Sequence, residues 1–169
     1  GNTPLHTAVL YRHSENVAEI LKVNPDIDAK NNEGYTPLLL AVRRPDNGGV
    51  IENLLQKGAD LNITDPEGRN ALLVSVSAYQ KDYIPLLISS GMDVNSQDNS
   101  GNTALHYIFS NVLENKLYIP ICKEFASILL EEGADPNIQN NEGKSPMDFA
   151  VESGENELID LLKSLRSLK

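Results

Sequence analysis

GADPNIQNNEGKSP, residues 133–146, closes on Gly143-Lys144-Ser145, the triplet that ends a phosphate-binding loop. Such a loop needs a further glycine five residues ahead of the triplet, and that position is Ile138, followed by polar Asn140 and Asn141. It also follows a buried strand, whereas GADPNIQN is not an apolar run. Nucleotide chemistry does not explain the stretch, but recurrence does.

Five segments align with its second half: GNTPLHTAV from Gly1, GYTPLLLAV from Gly34, GRNALLVSV from Gly68, GNTALHYIF from Gly101 and GKSPMDFAV from Gly143. They are spaced by 33, 34, 33 and 42 residues. The first half recurs too, as NPDID at 24–28, GADLN at 58–62, GMDVN at 91–95 and GADPN at 133–137. Between the two markers lie apolar pairs at helical spacing, Ile20-Leu21, Leu54-Leu55, Leu86-Leu87 and Leu129-Leu130. A fixed period of this length is the signature of stacked supersecondary units.

Local chemistry gives each unit a shape. Thr3 caps a helix and Pro4 fits its first position, where no N–H is needed. Ser145-Pro146 repeats the arrangement, with Asp148 completing a capping box. A second helix is expected to end at Gly58, Gly91 or Gly133 in the left-handed conformation, with Asn24 taking that place in the first unit. Each unit reads as helix, turn, helix and polar loop. Helices of two to three turns are marginal alone, so stacking must stabilise them.

Thr3-Pro4-Leu5-His6, Thr36-Pro37-Leu38, Gly58-Ala59-Asp60-Leu61-Asn62 and Gly133-Ala134-Asp135-Pro136-Asn137 make the chain resemble the ankyrin-repeat family along essentially its whole length. The resemblance implies an all-α solenoid of about five stacked repeats joined by β-hairpin-like loops. One domain over 1–169 is expected, with repeats at about 1–33, 34–67, 68–100, 101–142 and a capping repeat at 143–169. Asn70-Ala71-Leu72-Leu73 and Met147-Asp148 depart from the family pattern. Two irregularities stand out. One extra residue falls around Arg43–Gly49, predicting a long, mobile turn. Nine extra residues fall within 111–125, rich in Leu113, Leu117, Tyr118, Ile119 and Ile121. Leu113 and Leu117 predict a first helix about one turn longer. Pro120 is expected to break it before a helix over about 123–131. The apolar residues are expected to fold back on neighbouring helices, so that Leu117→Ser with Ile121→Ser costs stability more than binding. The alternative is a second docking patch at Leu113, Leu117, Tyr118 and Ile121.

At the end of the chain Leu158, Leu161, Leu162, Leu165 and Leu168 form an apolar stripe, with Lys163, Arg166 and Lys169 off it, predicting an amphipathic helix that closes the array. The first unit lacks such cover, so upstream sequence is expected.

Composition bounds the function. Hydrophobic residues are 40% of the chain, but aromatics are 5% and tryptophan is absent, so the core must be aliphatic. A net charge of −10 disfavours nucleic acid and anionic membranes. No run is long enough to span a bilayer. The lone Cys122 permits no intrachain disulfide and no thiolate metal cluster, which suits a reducing compartment such as the cytoplasm. Cys122 itself reads as a packed small hydrophobe. His6 and His106 have no paired nucleophile or metal-ligand spacing. The resemblance implies that they tie neighbouring loops together, and His13 matches a turn position. Asp26, Asp60, Asp93 and Asp135 recur with the period and read as turn formers rather than catalytic carboxylates. Asn62-Ile63-Thr64 is formally a glycosylation acceptor, and Asn62, Asn95 and Asn137 resemble asparagines that are hydroxylated in some ankyrin proteins. No enzyme, cofactor or metal is expected.

A surface remains. The resemblance implies a monomeric, non-catalytic scaffold that binds a protein or peptide through its concave face and loop tips. The alternative is a regulatory or targeting module of a longer enzyme or channel. Carried over by position, the contact residues are Tyr11, Tyr35, Arg43, Arg44, Arg69, Ser77, Asn102, Asn111 and Lys144. Tyrosine and arginine dominate interface energies. Their concentration in the N-terminal half of an acidic protein favours a partner segment with carboxylates.

Overall fold

The computed structural model describes residues 1–11 and 14–164, the side chains of Glu114 and Ser164 excepted. His13, Leu165, Arg166, Leu168 and Lys169 lie outside the described residues, so the turn position and the far end of the terminal stripe fall there too. The described residues form ten α-helices and no strand. They pair as α1 (Pro4–Leu10) with α2 (Ser14–Leu21), α3 (Pro37–Ala41) with α4 (Gly48–Gln56), α5 (Ala71–Ser77) with α6 (Ile84–Ser89), α7 (Ala104–Glu114) with α8 (Ile119–Glu131), and α9 (Pro146–Ser153) with α10 (Asn156–Ser164). The chain divides into two compact units, Gly1–Met92 and Asp93–Lys169.

In the first unit α1 packs on α2 and α3, α2 on α4, and α3 on α4 and α5, so each pair covers the next. In the second unit α7 packs on α8 and α9, and α10 packs on α8 and α9. The core is largely aliphatic: Leu5, Val17, Leu38, Ile51, Leu54, Leu72, Ile84 and Leu87 in the first unit, Leu105, Leu129 and Leu158 in the second. Phe109 and Phe125 add aromatic bulk to the second unit.

The caps follow the local sequence. Thr3, Thr36, Asn70 and Ser145 accept from the backbone N–H of the third helical residue. Gly58, Gly91 and Gly133 take φ of 85°, 102° and 93°, and Asn24 takes 50°. Gly34 and Gly101 are doubly constrained: φ is positive, and an added Cβ would lie 2.8 Å from Pro66 Cγ and 2.7 Å from Asn141 Oδ1, respectively. Only glycine combines that conformation with so close an approach of the next loop.

Four hairpin-like loops link the pairs. In each, one residue donates its N–H to the carbonyl four residues on: Asn31 to Tyr35, Asp65 to Arg69, Asp98 to Asn102 and Asn140 to Lys144. The same four side chains accept two backbone N–H groups across the turn. These keystones escaped the sequence reading, although Asn or Asp recurs there with the period. Asp60, Asp93 and Asp135 do form turns, each accepting the N–H two residues on.

The helix after the insertion starts at Ile119, not near Lys123. Pro120 lies in the first turn of α8 and initiates it instead of delaying it, because its missing N–H would have no intrahelical partner there. A 3₁₀ turn at Lys116–Tyr118 leads in, as Lys81–Tyr83 leads into α6. KDYIP at 81–85 and KLYIP at 116–120 are thus the same device. Against the third pair, much of the extra length lengthens the second helix, which has 13 residues in α8 and 6 in α6. The predicted longer first helix is present, 11 residues in α7 against 7 in α1.

Candidate functional site

The first unit presents a face built from the first helices and their adjoining loops. α3 stops at Ala41, so Arg43 and Arg44 sit in the turn that follows it, where the extra residue of this unit was expected. The extra residue is accommodated there by Asp46, which takes φ of 64°. Asn47 then turns inward, 1% exposed, and its amide donates to the Ala41 carbonyl at 3.0 Å. Tyr83 closes the turn from the next repeat. Its hydroxyl accepts from the Asn47 N–H at 2.8 Å and donates to the Arg44 carbonyl at 2.9 Å. The turn is long, as expected, and Tyr83 and Asn47 pin its backbone. Sequence reasoning missed Tyr83; the tyrosine within KDYIP was the signal that could have found it.

Both arginine side chains are exposed. The Arg43 guanidinium lies 4.6 Å from the centre of the Tyr35 ring, and Arg44 Nη1 donates to the Leu10 carbonyl at 3.4 Å. With Asn2, Leu10, Glu33 and Leu40 they line a groove of about 410 Å³. Lys22, Arg69, Lys116, Lys123 and Lys144 each meet a carboxylate. Arg43 and Arg44 meet none among the described residues.

The other expected contact residues separate. Tyr11, 69% exposed, lines a neighbouring groove with Pro4, Thr7 and Asn16. Arg69 is committed to the loop: its Nε donates to Asp65 Oδ2 at 2.8 Å, and that carboxylate is fully buried. Ser77 Oγ donates to the Val74 carbonyl.

In the second unit, Asn102 Oδ1 accepts from the Asn140 amide at 2.9 Å, and Asn111 is half-buried on α7. Lys144 pairs with Glu152 at 2.9 Å and lies 5.5 Å from the Phe149 ring centre. The hydrogen bond that Lys144 donates to Glu152 holds the Lys144 pKa above its usual value. Asn102, His106, Tyr107, Ser110 and Glu142 line a smaller groove of about 190 Å³.

The two histidines hold loops together. His6 Nδ1 accepts from the Thr3 N–H at 3.2 Å, so Nε2 carries the proton and donates to the Tyr35 carbonyl at 2.9 Å. His106 does the same between Thr103 and the Lys144 carbonyl, at 3.0 Å each. Burial pushes the His106 pKa below 6.5, against the raising effects of the Lys144 carbonyl and the Asp98 charge. Burial likewise lifts the Cys122 thiol to about 11, and its Sγ donates to the Ile108 carbonyl. Such a thiol is packing, not nucleophile.

The insertion folds back only in part, with Ile119 half-buried. Leu117 is 85% exposed, Leu113 41% and Tyr118 40%, with Ile121 half-buried. Leu117 occupies the 3₁₀-turn position that Asp82, also exposed, holds in KDYIP. Pairing of Lys116 with Glu155 and of Lys123 with Glu157 ties the segment to the start of α10 and leaves the leucine in solvent. Among the described residues no group of His, Cys, Asp and Glu could hold a metal, and no helix is long and apolar enough to cross a membrane.

Comparison with known proteins agrees with this geometry. The three-copy pattern of ankyrin repeats matches residues 1–65 and 41–119, and the single-repeat pattern matches 100–141. The chain is 36% identical over 132 residues to an intracellular phospholipase A2 of Caenorhabditis elegans, covering 73% of this chain and 12% of that protein. It is 36% identical over 107 residues to human neurogenic locus notch homolog protein 1, covering 62% of this chain and 4% of that one. The chicken nuclear factor NF-kappa-B p105 subunit is 35% identical over 108 residues, covering 62% and 11%. The chain thus spans at most about an eighth of these relatives.

Proposed function

Because the chain belongs to the ankyrin-repeat family, whose repeats are in general non-catalytic protein-interaction modules, we propose that it is an interaction scaffold. Its partner is a protein or peptide lying on the face formed by the first helices and the adjoining loop tips. One observation carries this reading. Arg43, whose guanidinium lies over the Tyr35 ring, and Arg44 line one groove, and among the described residues neither arginine meets a carboxylate, whereas Arg69, Lys116, Lys123 and Lys144 each do. Two exposed guanidinium groups without a carboxylate pair add little to stability and suit recognition.

The test is capture of partners from the source cell with the wild-type chain and with Arg43→Glu combined with Arg44→Glu. The variant should lose the partner while its circular dichroism and melting temperature are retained. Undiminished capture would remove the arginines from the site.

The short share of each relative favours a second reading, a regulatory or targeting module whose partner lies within a longer chain. The full open reading frame distinguishes the two, because a catalytic or membrane domain beyond these residues supports the module. A monomeric, cytoplasmic protein fits either reading. Its lone cysteine is buried, and sedimentation of the isolated chain reports its oligomeric state.

A further inference from the structure

We propose that the groove at Arg43 and Arg44 takes an acidic peptide, an extended segment with two adjacent carboxylates beside an aliphatic side chain. This rests on the interaction-scaffold reading and names the chemistry of its partner.

The donors fit carboxylates. A ring contact uses none of the five N–H groups of a guanidinium, so Arg43 keeps its full fork while Tyr35 restrains it. Arg44 spends one N–H on the Leu10 carbonyl, at a long 3.4 Å, and keeps the others. A planar fork meeting a carboxylate in two parallel hydrogen bonds is among the stronger polar contacts available at a surface. Leu10 and Leu40 on the same groove supply the apolar wall for the aliphatic neighbour. Long polyanions are a poorer match: net charge is −10 and only two arginines are offered.

The arginines are also pre-positioned. Tyr83 fixes the Arg44 carbonyl and the Asn47 N–H, so the backbone that carries both guanidinium groups is set before a partner arrives. Ordering a loop on binding costs affinity, and a turn already clasped avoids that cost. Tyr83 is therefore a positioning residue, acting through Arg44 and contacting no partner.

The experiment is fluorescence anisotropy on the purified chain. The probes are a short labelled peptide with Glu-Glu beside Leu, its Gln-Gln counterpart and a single-stranded DNA oligonucleotide. The Glu peptide should bind, and the Gln peptide should bind about tenfold more weakly, as loss of a charged partner implies. Arg44→Gln should weaken the Glu peptide to a similar degree and flatten the dependence on salt. Tyr83→Phe should weaken it several-fold and leave the salt dependence intact, a separation that loss of charge does not produce. Equal binding of the two peptides, tighter binding of the DNA, or indifference to Arg44→Gln would each overturn the inference. An unchanged affinity in Tyr83→Phe would remove the positioning role. If no peptide binds but the doubly reversed arginine variant still loses its captured partner, acidic-peptide recognition falls and the scaffold reading stands. If capture also survives, both fall.

Discussion

At the scale of the residue, one ring nitrogen decides what His106 contributes. Nδ1 is taken by the Thr103 N–H, so the proton sits on Nε2 and reaches the Lys144 carbonyl. The folded state holds this imidazole neutral, with its pKa lowered from 6.5 chiefly by burial, whereas the unfolded chain takes up a proton at 6.5. Below that pH the unfolded state binds more protons, so the contribution is complete above about 6.5 and is lost as pH falls through the lowered value. The second and third repeats place Leu39 and Leu73 at this register, so His106→Leu is a substitution the fold already uses. We expect it to cost about 1 kcal/mol near neutrality for the lost hydrogen bonds. The gap from wild type should narrow as pH falls from 7 toward 5, and urea melts at stepped pH read it directly. A constant gap would mean that His106 does not titrate in this way. The histidine role was legible in the sequence through resemblance alone. Spacing could not say which nitrogen bonds which carbonyl, because that depends on where the next loop lies.

At the scale of the element, the insertion shows how a local sequence is read differently by its surroundings. KDYIP and KLYIP each build a 3₁₀ turn running into a proline-initiated helix. In the first, Tyr83 is buried and reaches two backbone groups of the preceding repeat. In the second, Tyr118 is 40% exposed and Leu117 stands in water where Asp82 stood. Apolar character predicted burial for the segment, but in both of these 3₁₀ turns the middle residue, Asp82 or Leu117, stands exposed. Leu117→Ser should therefore change stability by no more than about 0.5 kcal/mol, the range of ordinary surface substitutions. Phe125→Ala, which empties a site 1% exposed on α8, should cost about 3–5 kcal/mol. Denaturant unfolding of the two variants compares them, and a large loss at Leu117 would mean that it packs in solution.

For the whole molecule, charge and fold are separate matters. With 24 acidic residues against 14 basic ones, self-repulsion opposes the compact state, and salt screens it over a Debye length of about 8 Å at physiological strength. Exposed ion pairs such as Lys116–Glu155 contribute little and lose little to screening. The melting temperature should therefore rise as salt is raised from about 10 mM to about 0.15 M. A fall would mean that the surface ion pairs outweigh the repulsion.

The sequence by itself determined the helix pairs, the caps at Thr3 and Ser145, the left-handed ends at Asn24 and Gly133, and the repeat. These depend on backbone torsion and on neighbours a few residues away, which the chain carries wherever it goes. It also settled the opening question of Gly143-Lys144-Ser145, whose serine caps α9. Tertiary structure alone decided which surface residues remain available. Arg69 and Lys144 are held by Asp65 and Glu152, while Arg43 and Arg44 share a groove and pair with no carboxylate among the described residues, in a turn fixed by a tyrosine nearly forty residues away. A charged side chain is free or spent according to what lies within hydrogen-bond reach, and that is a property of three dimensions.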